Sequence, residues 1–216
     1  EGIYFASGFN IANKRAWSNN KQNSSLDLIY DVGHFKSKSR LAEEFRELFR
    51  NSFVGQYNYQ FPIWKKSNLD KTIDKTYKFT PKVISQSLDW ETSIQSGLFL
   101  YSDGSNQSVI KFNTGPVLTI GNFKKNLFDY TEISTNYNYV LKGGESPFSF
   151  DDINKDPRIN FTLKQQIFGP LLFSFNTILN LNTNSYTNVN YALDFNRRAY
   201  SIGAFYSSSN ESVGIK

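Results

Sequence analysis

LFDYTEISTNYNYVLKGG, residues 127–144, is the stretch on which the reading of this chain turns. Taken at every second residue it separates into two faces. Ile133, Thr135, Tyr137, Tyr139 and Leu141 make an apolar, aromatic face. Glu132, Ser134, Asn136 and Asn138 make a polar one. A period of two marks a strand lying between unlike environments. A soluble barrel or sandwich turns its apolar face inward. A membrane barrel turns that face out to lipid and lines its interior with the polar set.

The same rhythm extends in both directions. Ile3, Phe5, Phe9 and Ile11 share a face, as do Leu26, Leu28, Tyr30 and Val32. Phe53, Tyr57, Tyr59, Phe61 and Ile63 oppose Ser52, Gln56, Asn58 and Gln60. Ile110, Phe112, Leu118 and Ile120 oppose Lys111, Asn113 and Thr119. Leu171, Phe173, Phe175 and Leu179 oppose Ser174, Asn176 and Asn180; Val189, Tyr191, Leu193 and Phe195 oppose Asn190 and Asp194. Turn residues punctuate the runs at Asp103-Gly104, at Gly169-Pro170 and at Asn182 to Ser185. The pattern predicts roughly ten to twelve antiparallel strands of about 9–12 residues, long enough for tilted transmembrane strands. One stretch departs from it. Leu41, Phe45, Leu48 and Phe49 fall at helical spacing behind Ser39, which predicts a short amphipathic loop helix over 39–49.

Composition favours lipid over water outside. Aromatics make up 17% of the 216 residues and charged residues 20%, rich in Phe and Tyr and poor in charge for a soluble domain. The polar strand faces are mostly Asn, Ser, Thr and Gln, where a soluble protein would place many Lys and Glu. Tyr30, Tyr101, Tyr139 and Tyr206 fall near strand ends, where interfacial aromatics lie. The net charge of +5 suits an anionic partner such as lipid phosphate, but no basic cluster of nucleic-acid type is present. There is no Cys and no Met. Disulfides, thiolate metal sites and a Cys nucleophile are therefore excluded. No apolar run approaches the roughly 20 residues of a membrane helix. The chain opens Glu1-Gly2-Ile3, so a fragment or processed product is expected.

The search for chemistry returns little. His34 is the single histidine and reads as a rim residue. Asp152-Ile153-Asn154-Lys155-Asp156 has the spacing that opens a calcium loop but lacks the downstream Gly and Glu. No catalytic constellation, metal set or cofactor motif is assembled. Arg197 and Arg198 are candidates for lipid phosphate at an interface. Asn58, Asn136, Asn138, Asn176, Asn180 and Asn190 are candidates for a hydrated lumen, since neutral amides hydrogen-bond sugars without trapping ions. Gly97, Gly115, Gly121 and Gly203 read as bulges or bends, and Pro116 as an edge, a bulge or a weak seam.

Four short runs carry a resemblance. They are Phe128-Asp129-Tyr130-Thr131, Gly143-Gly144-Glu145-Ser146-Pro147-Phe148, Gln165-Gln166-Ile167-Phe168-Gly169-Pro170-Leu171 and Asn196-Arg197-Arg198-Ala199-Tyr200. In this order they resemble a cyanobacterial envelope family whose C-terminal domain has no known function. That family is similar in turn to the lipopolysaccharide-assembly outer-membrane barrel (LptD, the organic-solvent-tolerance protein). The resemblance begins near Leu26 and is clearest over residues 123–206. It implies an all-β, antiparallel, up-and-down transmembrane barrel in the outer membrane of a Gram-negative-type bacterium. It implies a non-enzymatic role in exporting or inserting lipopolysaccharide or another lipid. Implied partners are that lipid, the barrel-assembly machinery and periplasmic lipid-transport components, with no nucleic acid. The chain departs from the pattern in having no Cys pairs and no terminal aromatic residue, so a last strand, N-terminal strands and a periplasmic region are expected to lie outside it. Two alternatives stand: a passive pore or structural outer-membrane protein, and a soluble β-barrel or sandwich that binds a small apolar ligand.

Overall fold

A computed structural model gives the fold and describes residues 3–19, 22–38, 45–66, 84–197 and 199–215. The chain is all-β. Among the described residues eleven strands form one antiparallel sheet in strict sequence order. They are β1 (Ile3–Ser18), β2 (Asn23–Lys38), β3 (Phe45–Lys65), β4 (Ser87–Tyr101), β5 (Asn106–Ile120), β6 (Thr131–Gly144), β7 (Arg158–Phe168), β8 (Leu171–Asn180), β9 (Ser185–Asn196), β10 (Ser201–Ser207) and β11 (Ser212–Ile215). A 3-10 turn at Ser149–Asp151 is the one helical element among the described residues. Among the described residues no helix is long and apolar enough to cross a membrane, which says nothing of strands. The up-and-down antiparallel topology is the one the alternation predicts.

The predicted helix over 39–49 is corrected. Residues 39–44 lie outside the described residues, and Phe45–Lys65 is one strand of 21 residues. Glu, Arg and Leu favour a helix locally, but propensity is a weak prior against tertiary pairing. Here Phe45, Phe49 and Phe53 continue the apolar row of β3. Glu47 lies 3.7 Å from Lys36 and 3.5 Å from His34, both on the neighbouring strand. Phe49 donates its backbone N–H to Ser102 Oγ at 3.1 Å. Pro116 is likewise not at an edge: it sits in β5, an interior strand between β4 and β6.

The chain forms two compact units, one from residues 1–59, 92–113 and 139–156, the other from 60–91, 114–138 and 157–216. In the second, strand register defines both faces. Ile133 pairs with Leu163, Leu163 with Phe175, Phe175 with Tyr191, Tyr191 with Tyr206 and Tyr206 with Val213. Neighbouring rings in this row lie 5.2 Å (Phe175–Tyr191) and 6.3 Å (Tyr191–Tyr206) apart. On the other face Ser134, Thr162, Asn176, Asn190, Ser207 and Ser212 form an equally continuous row of hydroxyls and amides. In the first unit, Phe9 and Ile11 face the same side as Val32 and Tyr30, while Asn10 and Lys14 pair with Asp31 and Asp27 on the opposite side.

Candidate functional site

The two faces differ in accessibility, and the difference is inverted relative to a soluble fold. Phe9 and Val213 are each 78% exposed, and Ile94, Leu98, Ile110, Tyr139, Leu193 and Ile202 are exposed with them. Ser37, Ser52, Gln107, Gln166 and Asp194 are buried. From β4 onward the apolar face carries no charged side chain within the strands. Asp89, Glu91, Lys111, Glu132, Lys142, Arg158, Lys164 and Asp194 all occupy the polar face. One polar pair on the apolar face is satisfied locally: the Trp90 indole N–H donates to Thr114 Oγ1 at 2.8 Å, and Thr114 donates to the carbonyl of Glu91.

Two connections fold onto the polar face. In the first unit the segment after β6 begins at Gly144, whose φ of +65° is natural only for glycine; a Cβ there would lie 2.2 Å from the carbonyl oxygen of Asn106. Four residues on, Phe148 is fully buried. Its ring stacks on Phe150 at 5.0 Å and meets the edge of Tyr101 at 5.8 Å. Asp151 is held harder still. Arg50 donates Nη1–H to its Oδ1 at 2.6 Å and the Tyr101 hydroxyl donates to its Oδ2 at 2.9 Å. Gln107 donates its side-chain amide to the Asp151 carbonyl at 3.0 Å. Arg50 also binds Asp31 and lies 4.4 Å over the Phe35 ring. Lys142 and Asp152 close the group at 2.7 Å. The Asp152–Asp156 stretch is thus engaged as a structural turn, with Asn154 accepting the backbone N–H of Asp156.

In the second unit the connection after β5 starts at Gly121, where φ is +75° and a Cβ would fall 1.3 Å from the Asp129 carbonyl oxygen. The Asp129 carboxylate accepts the backbone N–H groups of Asn122, Lys124 and Lys125. Phe123 stacks on Tyr130 at 4.5 Å. Gln166, fully buried, staples the segment. Its Oε1 accepts the N–H groups of Asp129 and Tyr130, and its Nε2 donates to the carbonyls of Lys125 and Gly169. Burial, and the donation of its hydroxyl to charged Glu132 at 2.7 Å, push the Tyr130 phenol well above its ordinary range.

The sequence candidates fall on the polar face in different ways. Asn58 donates to Ser25 Oγ at 3.0 Å. Asn136 pairs in register with Asn160, and Asn138 donates to the Asn136 carbonyl. Asn176 sits opposite Asn190 and donates to Thr162 Oγ1 at 2.8 Å. Asn190 donates to the Asn188 carbonyl. Asn180 is buried and accepts the backbone N–H groups of Asn182 and Thr183, so it shapes the β8–β9 turn. Arg197 is exposed at the end of β9 with its guanidinium 5.1 Å over the Phe195 ring; Arg198 lies outside the described residues. Sequence reasoning missed Gln166, Arg50 and Asp151. The signal for Gln166 was that the runs containing Asp129 and Gln166, far apart in sequence, both carried the resemblance, and the structure joins them; Arg50 and Asp151 lie in none of those runs.

A family model described as a protein of unknown function, DUF3769, matches residues 4–216. The chain belongs to that family. The DUF3769 match spans both connections and reaches all eleven strands described above. No curated protein and no solved structure matches the chain.

Proposed function

We propose that this DUF3769 chain is a non-enzymatic β-barrel of an outer membrane that exports or inserts lipopolysaccharide or another lipid. The observation that carries the membrane reading is the inverted polarity: from β4 onward, an exposed apolar face without charged side chains lies against a polar face that holds the ions and amides. Water would penalise so much contiguous exposed hydrocarbon, whereas a bilayer accepts it. The lipid-export role draws on the likeness to lipopolysaccharide-assembly barrels, and the row Ser134, Thr162, Asn176, Asn190 and Ser207 supports it by offering donors and acceptors to a sugar headgroup. Partners of this reading are the lipid cargo, the barrel-assembly machinery and periplasmic transport components.

A second reading has its own support. The insertion of Phe148 and Asp151 onto the polar face favours a structural barrel with an obstructed interior over a freely conducting pore. Membrane fractionation tests the first step: the chain stays in carbonate-washed outer membranes and leaves only with detergent. Depletion then separates the roles. Loss of surface lipopolysaccharide at unchanged envelope integrity supports export, whereas recovery of the chain in detergent-free buffer as a monodisperse species ends the membrane reading.

A further inference from the structure

One rim of the second unit combines three cations with an apolar floor. Leu127 bridges to Phe168 at the end of β7, Phe168 pairs with Leu171, and Leu171 pairs with Phe195. Arg197 lies over that last ring. Three strands are crossed in this walk, so the floor is roughly 10 Å wide. Leu127, Phe128, Phe168 and Tyr200 are all more than half exposed. Lys124 and Lys125 are exposed on the same connection as Leu127 and Phe128. The display is rigid and costly. Phe128 holds a φ of +47°, in the left-handed region that a bulky side chain avoids. The Asp129 carboxylate and Gln166 fix the surrounding backbone, so the strain is imposed from below.

We propose that this rim is a binding site for anionic phospholipid headgroups, with Lys124, Lys125 and Arg197 taking the phosphates and Leu127, Phe128 and Phe168 entering the adjoining acyl layer. The floor continues the apolar face directly, since Phe168 and Leu171 lie in the Phe195 row. A phosphate on that row therefore sits where hydrocarbon gives way to water, and lysine and arginine stems reach it while covering apolar surface. The site rests on the membrane reading above and adds the lipid class it selects.

The test uses the full chain, folded in detergent and reconstituted into phosphatidylcholine nanodiscs with a minor fraction of phosphatidylglycerol. Native mass spectrometry reads the lipid retained on release. The wild-type chain retains phosphatidylglycerol preferentially, and Lys124→Gln/Lys125→Gln/Arg197→Gln loses that preference by about fivefold for each cation. Phe128→Ser weakens retention of both lipids while free inorganic phosphate does not compete. Normal insertion with undiminished preference in the triple variant overturns the site and leaves the barrel standing. Competition by inorganic phosphate together with indifference to Phe128→Ser reduces it to a phosphate contact and overturns the lipid assignment. Failure of the wild-type chain to insert at all overturns the membrane reading itself.

Discussion

Arg50 and Asp151 form an ion pair at 2.6 Å although 101 residues separate them, and both side chains are about nine-tenths shielded from solvent. The pair fastens the Glu145–Pro157 connection to β3. Its partners on either side, Asp31 and Tyr101, make a small network in which each group has a stated role. Removing Asp151 leaves Arg50 with Asp31 as its remaining carboxylate and takes a charged acceptor from two shielded donors. Asp151→Ala should therefore cost roughly 1.5–3 kcal/mol, measured by urea unfolding of the refolded protein in detergent. Asp152→Ala, whose carboxylate is 42% exposed, should cost under about 1 kcal/mol. Ion conductance in planar bilayers should rise in Asp151→Ala and stay flat in Asp152→Ala. Equal unfolding curves would show that the connection is held by Phe148 alone.

Gln166 makes four hydrogen bonds to main-chain groups from a fully buried position. Leucine is similar in size and apolar, so Gln166→Leu isolates the polar contribution. Orphaned buried groups cost about 1–3 kcal/mol each, and at least one such step should appear as lost stability. Faster hydrogen exchange at the Asp129 and Tyr130 amides would localise it. Gln166→Glu should fare no better, because a carboxylate cannot donate to the Lys125 and Gly169 carbonyls.

The facing of the sheet is testable on adjacent residues of β8. Phe175 lies in the ring row beside Tyr191, and Asn176 lies in the amide row opposite Asn190. Phe175→Arg should cost roughly 2–4 kcal/mol and block assembly if its row meets the bilayer midplane. Asn176→Arg should be far milder in a heat-modifiability assay of membrane-inserted protein. Equal damage would contradict the assignment of faces.

Tyr130 gives an alkaline signature. Burial first, and then Glu132, raise its folded-state value above the ordinary tyrosine value of about 10. A raised folded value means the contribution is complete below pH of about 10. It is lost as pH climbs toward the folded value, by at most about 1.4 kcal/mol per pH unit. Unfolding from pH 9 to 11 should show this slope in the wild-type chain and a shallower one in Tyr130→Phe. Parallel profiles would remove Tyr130 from the account.

Strand and face were legible because a period of two is written locally, and Ile133 to Leu141 suffices to read it. Residues 45–49 misled because Glu, Arg and Leu report helix preference, while the pairing that overrides it comes from Lys36, His34 and Ser102 elsewhere in the chain. The two inserted connections were illegible for a related reason. Phe148 and Gln166 look like loop and strand residues in sequence, and only the folded chain brings their partners to them. The lumen candidates were read as a chemical type, but Asn180 is occupied by its own turn.

Strict neighbour-to-neighbour strand order has a kinetic meaning. Each hairpin can zip onto the one before it, closing a short loop at every step, so the entropy cost of assembly is spread along the chain. Arg50 with Asp151, and Phe35 with Phe148, are exceptions, since they must wait until β2 through β6 have been laid down. Their union is a late event, and it falls after the sheet that receives it is already built.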